Sequence, residues 1–360
     1  MKKKGIWLIG AYGDIATTLI VGKEAIKQNL TSNVGLVSEL EPMNQLGLSS
    51  LNDFVIGGHD VVDNSLLSQA ELICERSRTF SFRILGQMTK ELEAIDQNIR
   101  VTPEFNWNPN DSKAQLPTLS ELSEKFRQML RQFADENKLE HVTVVNLASA
   151  EAYTPIKAEH HDYSAFIKLM ADNDKKLISP SMLYAYSAFM EDFSFVNFTP
   201  NTSASIGALN TLAVNQSVPY CGNDGKTGET LVKTALAPMY AARNLKIMSW
   251  TGLNLLGNGD GETLHEPEHC KNKIKNKEAV LPAILDYSPQ SIVDIKYVPS
   301  LGDWKTAWDL IHFQGFLDVP MTMQFTWQGC DSILAAPLVL DMVRFTEFAH
   351  RNNESGAKYS

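Results

Sequence analysis

Ile6-Trp-Leu-Ile-Gly-Ala-Tyr-Gly-Asp-Ile-Ala-Thr-Thr-Leu19 is the stretch that decides the fold. Its apolar run, Ile6 to Ile9, ends at Gly10, and a helical pattern then extends from Ile15 to Gln28. A short apolar run broken by glycine and followed by a 3.6-residue period reads as strand, tight turn and helix, the first half of a βαβ unit. A glycine turn at that place lets an anionic group approach the backbone, where N–H groups and the positive helix end stabilise its charge. Gly10 and Gly13 suit that task, with Ala16 closing a GxxGxxA spacing. That spacing is less specific than a full GxGxxG, so the rest of the chain must supply the context.

Working outward, Val34-Gly-Leu-Val37 reads as a second strand ending at Ser38-Glu39, which would put an acidic side chain at a strand tip, where a ribose hydroxyl is usually held. Phe54-Val-Ile56 reads as a third strand emptying into a loop, Gly57-Gly-His-Asp60, and Val142 to Leu147 as another. Before the latter, Ser120 to Asn137 is strongly helical, with Leu122, Phe126, Met129, Leu130 and Phe133 on one face. Alternating strands and helices predict a parallel, doubly wound sheet. Asn98 to Pro117, with Pro103, Pro109 and Pro117, reads as a loop excursion. Past Pro200, polar glycine-bearing loops alternate with apolar elements, the pattern of a second domain that carries chemistry on its loops. A final helix, Ser332 to His350, is expected to pack on the first domain through Leu334, Leu338, Met342, Phe345 and Phe348. The expected division is residues 1–200 with 331–360 for the first domain and 201–330 for a catalytic and oligomerisation domain.

Composition narrows the function class. With 360 residues, two domains are expected. A formal net charge of −10 argues against a broad nucleic-acid footprint, which needs clustered Lys and Arg. Cys74, Cys221, Cys270 and Cys330 form no CxxC pair, so neither a zinc knuckle nor a disulfide framework is read, and a reducing cytoplasm fits. His265 and His269 lie one helical turn apart without an HExxH pattern, and no metal site is expected. The basic start, Met1-Lys-Lys-Lys4, resembles a signal-peptide n-region, but Gly10, Gly13, Asp14 and Gly22 interrupt the apolar run, and a buried first strand is expected instead. No segment reaches the roughly 18 to 20 apolar residues of a membrane span.

Seven motifs, in order along almost the whole chain, resemble those of the inositol-3-phosphate synthase family. Gly10-Ala-Tyr-Gly-Asp-Ile-Ala-Thr-Thr-Leu19 resembles the family's G-x-G-G-N-N-G-T-T-L loop, Phe54-Val-Ile-Gly-Gly-His-Asp60 its F-V-x-G-G-W-D, and Val145-Asn-Leu-Ala-Ser-Ala-Glu151 its W-T-A-N-T-E. Gly222-Asn-Asp-Gly-Lys-Thr-Gly-Glu-Thr230 is similar to G-D-D-x-K-S-G-Q-T, and Asn254-Leu-Leu-Gly-Asn-Gly-Asp-Gly261 to N-H-L-G-N-N-D-G. Ile295 to Lys305 resembles I-K-Y-V-P-x-x-G-D-S-K, and Cys330 to Leu338 resembles C-E-D-S-L-L-A-A-P.

The resemblance implies a Rossmann-type NAD-binding domain, an α+β catalytic domain and a homotetramer assembled through the latter. It also implies a reaction of inositol and phospholipid biosynthesis. In it NAD oxidises C5 of glucose 6-phosphate, enolisation at C6 permits aldol attack on C1, and the retained NADH reduces the ketone to give inositol 3-phosphate. Carried over by motif, Gly10, Tyr12, Gly13, Asp14, Ile15, Asp60, Ala148, Ser149, Thr199, Asp260, Asp303, Asp331 and Ser332 match cofactor-contacting positions, while Asp224, Lys226 and Lys305 match the catalytic neighbourhood. Taken alone, Asp60, Asp260 and Asp331 would read as turn or helix caps, and Lys226 and Lys305 as solvated lysines.

Three departures stand out. The family's lysine pair, four residues apart on a helix, aligns with Asn272 and Asn276, and neighbouring Lys273 and Lys277 are the candidate replacements, turned by about 100 degrees. A further family lysine beyond the last helix has no counterpart before Ser360. Asp14 stands where the family has asparagine, and a carboxylate near a pyrophosphate is unfavourable unless paired or turned away. These leave open a related NAD-using cyclase or dehydrogenase acting on another sugar phosphate or cyclitol, and a silent NAD-binding protein.

Overall fold

The computed structural model describes residues 3–107, 117–257 and 280–358. It divides into two compact units: Met1–Glu75, Phe80–Gly225 and Ala336–Ser360 form unit 1, and Arg76–Thr79 and Lys226–Ala335 form unit 2.

In unit 1, β1 (Lys3–Ile9), β2 (Phe54–Asp60), β3 (Ile99–Val101), β4 (Leu139–Asn146), β5 (Ser194–Asn197), β6 (Pro219–Cys221) and β11 (Gly356–Lys358) make one parallel sheet in the order β11-β6-β5-β4-β1-β2-β3. Read from β3, this is the 3-2-1-4-5-6 order of a doubly wound dinucleotide-binding sheet, whose crevice opens beyond the ends of β1 and β4. The sheet runs past residue 200, where the sequence reading began the second domain: α7 (Gly207–Asn215) and β6 both belong to unit 1.

Helix α1 (Asp14–Lys27) follows β1 as expected. α4 (Leu119–Asn137) is set by a capping box between Thr118 and Glu121 and ended by Lys138 in the left-handed conformation. Its Leu122, Phe126, Leu130 and Phe133 join Trp7, Val142 and Val144 in the core, each large apolar side chain contributing about 1.5–3 kcal/mol by burial.

Three local expectations are corrected. Residues 34–37 form no strand but a turn leading into a 3-10 turn, Val37–Glu39, held because Asp341 accepts from the backbone N–H groups of Val37 and Ser38. The supposed loop Gly57–Asp60 is the second half of β2. Its glycines are there for close packing, since a Cβ on Gly57 would stand 2.5 Å from the Phe133 ring. The proline-rich excursion contains β3, an edge strand paired to Gly58–Asp60.

Unit 2 is a four-stranded mixed sheet, β10-β9-β7-β8, built from β7 (Lys246–Leu256), β8 (Gln290–Tyr297), β9 (Trp304–Gln314) and β10 (Pro320–Cys330). β7 and β8 are parallel, and the β7–β9 and β9–β10 pairs antiparallel. Helices α8 (Glu229–Ala242) and α9 (Val280–Leu285) supply Ala237, Tyr240, Leu281 and Leu285 to a core shared with Ile247, Trp250 and Ile311 of the sheet. Strand alternation places Lys305, Ala307, Asp309 and Ile311 on this buried face.

Candidate functional site

The glycine turn of unit 1 closes by hydrogen bonds from the N–H groups of Gly10 and Ala11 to the His59 carbonyl, and from Gly13 N–H to the Gly10 carbonyl at 3.1 Å. Gly10 has φ +79°, and a Cβ there would lie 3.1 Å from the backbone of Ala148, so this position needs glycine twice over. Gly13 precedes α1 and offers no side-chain cap, which leaves the positive helix end to an external anion. The Asp60 carboxylate accepts from Tyr12 N–H at 2.9 Å and Val62 N–H at 3.1 Å, a turn-holding role. Tyr12 donates its hydroxyl to Asp96 at 2.9 Å, and burial together with that carboxylate holds the phenol well above its ordinary pKa. The Asp14 carboxylate accepts from Gln69 Nε2 at 3.0 Å, a neutral amide that fixes its position without supplying a counter-charge.

Beyond β4 and β5 lies a lattice of side-chain amides that the sequence reading did not single out. Asn146, Asn197, Thr199 and Asn201 are all buried. Asn146 Nδ2 reaches Asn197 Oδ1 at 3.3 Å, Thr199 donates its hydroxyl to the same Asn197 oxygen at 2.8 Å, and Asn146 Oδ1 accepts from Ala148 N–H at 3.3 Å. Asn201 Oδ1 accepts from Glu151 N–H at 2.9 Å and its Nδ2 donates to the Ser149 carbonyl at 3.5 Å. The lattice holds Ala148, Ser149 and Thr199, and Ala148 lies against Gly10 of the glycine turn. Half-buried Glu151 accepts from the N–H and hydroxyl of Ser181, both at 2.7 Å, at the start of α6 (Pro180–Phe189), and burial lifts its carboxyl to about 7 against those bonds. The only warning in the sequence was an asparagine at the end of each strand.

Two other sequence candidates resolve differently. Glu39 is no strand tip: Arg344 Nη1 pairs with it at 2.6 Å. His59 is core, accepting from Trp7 Nε1 at 3.1 Å among Phe105, Phe126 and Tyr184, with burial pushing its imidazole down to about 3. Asp224, buried on the loop before α8, donates its N–H to the Thr199 carbonyl at 2.8 Å.

In unit 2, Lys305 is not a solvated lysine. It is 7% exposed, and its Nζ lies 3.2 Å from both Thr227 Oγ1 and Asp331 Oδ1. Thr227 donates to the same Asp331 oxygen at 2.5 Å. Gly228 leaves room for the lysine stem, because a Cβ there would stand 2.8 Å from Lys305 Cε. Asp303 acts as a cap: its Oδ2 accepts from Ser332 N–H at 3.0 Å and from the Ser332 hydroxyl at the start of α10 (Asp331–Arg351). The same oxygen accepts from Cys330 Sγ at 2.9 Å, and burial, with Asp303 nearby, pushes that thiol up to about 12. Unit 2 thus brings together Lys305, Asp303, Asp331 and Ser332, and adds Thr227, which sequence reasoning missed. Lys226 is half-buried one residue before Thr227. Lys273, Lys277 and Asp260 lie outside the described residues.

The residues of unit 1 fit a dinucleotide: a strand–helix turn whose helix start at Gly13 has no side-chain cap, closed by Asp60, beside a loop held by buried amides. The comparisons agree. A sequence profile described as myo-inositol-1-phosphate synthase matches residues 4–360. Inositol-3-phosphate synthase 1 of Bacteroides thetaiotaomicron is 35% identical over 98% of this chain and 86% of its own length. The Dictyostelium discoideum inositol-3-phosphate synthase is 26% identical over 97% of this chain and 75% of its own. Among solved structures, inositol-3-phosphate synthase of Caenorhabditis elegans superposes with a TM-score of 0.86 at 25% identity, covering 97% of this chain and 76% of that one. A myo-inositol-1-phosphate synthase-related protein from Thermotoga maritima shares the fold, with a TM-score of 0.79 at 21% identity over 99% and 90%. The chain belongs to the myo-inositol-1-phosphate synthase family of NAD-dependent enzymes.

Proposed function

We propose that this protein converts glucose 6-phosphate to inositol 3-phosphate with NAD. The observation that carries the reading is the buried Lys305 ammonium, fixed by Thr227 and Asp331 on the sheet of unit 2. NAD, when bound, supplies an oxidant that is regenerated within the turnover. Lys305 supplies a pre-oriented positive charge for the oxygen that becomes anionic on enolisation, and Asp331 and Thr227 keep that lysine aimed. Gly10, Tyr12, Gly13, Asp14 and Ile15 form the turn that receives the pyrophosphate, while Ala148, Ser149 and Thr199 stand on the amide lattice as further cofactor contacts. Asp60, Asp303 and Ser332 act by holding loops, and Asp260 completes the proposed cofactor set. Asp224, Lys226, Lys273 and Lys277 are the proposed neighbours of the substrate, the last two taking over from the absent lysine pair. A different sugar phosphate or a silent NAD-binding role is not favoured by the relatives named above.

The assay is direct: the purified protein, given NAD and glucose 6-phosphate, forms inositol phosphate without accumulating NADH. Lasting NADH release would speak for a dehydrogenase instead. The proposed setting is cytoplasmic, in keeping with the free thiols of Cys74, Cys221 and Cys330. No helix among the described residues is long and apolar enough to cross a membrane. The proposed assembly is a homotetramer through the open face of the unit 2 sheet.

A further inference from the structure

Unit 2 holds a second polar cluster that the assigned site does not use. Glu229, the first residue of α8, pairs with Lys233 at 2.6 Å, and both side chains are wholly out of water. Asn254 of β7, also fully buried, donates Nδ2 to Glu229 Oε2 at 2.6 Å. Asp309, equally buried, accepts from Trp250 Nε1 at 2.7 Å, and the Lys233 ammonium lies 5.9 Å from the centre of a Trp250 ring. Both carboxylates close on Gly252: a Cβ there would stand 2.5 Å from Glu229 Oε1 and 3.2 Å from Asp309 Oδ1.

Stability does not explain such a cluster. Taking ions out of water costs about what their pairing returns, so apolar side chains of equal volume hold a helix to a sheet as well or better. What buried ions add is one fixed register. That register matters here because Thr227 and Gly228, which touch Lys305, immediately precede Glu229. Asp309, in turn, lies four residues from Lys305 on the same face of β9.

We propose that Glu229, through Lys233 and Asn254, is a positioning residue that seats the Thr227–Gly228 segment against Lys305. The claim rests on the reading of Lys305 given above. Its test is the double variant Glu229→Met/Lys233→Met, which removes both charges at nearly constant volume. The expected result is a denaturation midpoint equal to or above that of the parent, kcat lower by about tenfold or more, and KM for glucose 6-phosphate within about twofold. Glu229→Gln/Lys233→Met keeps a partner for Asn254 and is expected to regain part of the lost kcat. Parent-level kcat in the double Met variant would overturn the proposal.

A second measurement does not need turnover. In protein with 13C-labelled lysine, the Lys305 ε-carbon signal, identified by its loss in Lys305→Met, is expected to shift in both double variants. An unmoved signal sinks the positioning role. A parent protein inactive on glucose 6-phosphate sinks the proposed reaction instead, with the NMR result still deciding the role of Glu229.

Discussion

Two side chains show how far burial changes the chemistry a residue type suggests. Lys305→Ala removes a charge already desolvated and aimed, so kcat is expected to fall about a hundredfold to a thousandfold. NAD affinity measured by calorimetry is expected to stay largely intact, because Lys305 matches the catalytic neighbourhood and not a cofactor-contacting position. An unaltered rate would remove Lys305 from the chemistry. Glu151 titrates in the opposite sense to most carboxylates: folded, it holds its proton up to about 7, against an ordinary 4.5 in the unfolded chain. At this group the native state therefore binds more protons between those values, and the contribution of Glu151 to stability falls as pH rises from 4.5 to 7, by up to about 3 kcal/mol. Glu151→Gln cannot ionise, so its denaturant midpoint should gain on the parent's as pH rises from 5 to 7.5. Gly10, Asp60 and Lys305 were legible in the sequence because glycine turns and ordered motifs leave local signatures. The amides of Asn146, Asn197 and Asn201 were not, since their meaning comes from strands that meet only in the folded sheet.

At the scale of elements, α10 illustrates both the reach and the limit of hydrophobic periodicity. Its bounds match the expected helix within one residue at each end. Its face does not: Leu334, Leu338, Met342, Phe345 and Phe348 are all half-buried, while the buried side turned to residues 37–49 carries Asp341, Arg344 and Glu347. Each of these charged side chains finds partners. Asp341 takes the Ser38 hydroxyl and two backbone N–H groups, Arg344 donates to the Ser49 carbonyl at 3.0 Å, and Glu347 accepts from Ser49 Oγ at 2.7 Å. Arg344→Met is expected to cost about 1–3 kcal/mol, because it leaves the carbonyl of buried Ser49 without its donor, and the loss is read as a lower denaturation midpoint. The end of the same helix stacks His350 on buried His141, ring centres 3.6 Å apart. Burial, and then the neighbouring His350, holds His141 well below 6.5. The unfolded state then binds more protons as pH drops through 6.5, so the stability present above that pH is lost on acidification. His141→Gln should therefore gain on the parent's denaturation midpoint as pH falls from 7 to 5, and a difference that stays constant would assign the effect to other groups.

For the molecule as a whole, a doubly wound sheet could be read from strand and helix alternation, whereas the division between units could not, because β6 and β11 join the sheet of unit 1 through pairings far apart in sequence. The proposed assembly uses the other sheet. On the face opposite Lys305, β9 presents Trp308, 37% exposed, beside Leu310, with Leu253 of β7 directly across and Ile292 of β8, 46% exposed, one strand farther. The β9–β10 turn adds Phe316 and Leu317, 88% and 78% exposed. Contiguous apolar surface of this kind is a cost to a monomer and the usual core of an interface, where stable partners bury roughly 1,200–2,000 Å² in total. Light scattering behind size exclusion should therefore give a tetramer for the parent. Trp308→Glu, which places a carboxylate at the centre of that face without touching Lys305 on the other, should give smaller species. A variant that keeps the parent mass would exclude this face from the interface, and a monomeric parent would exclude the assembly.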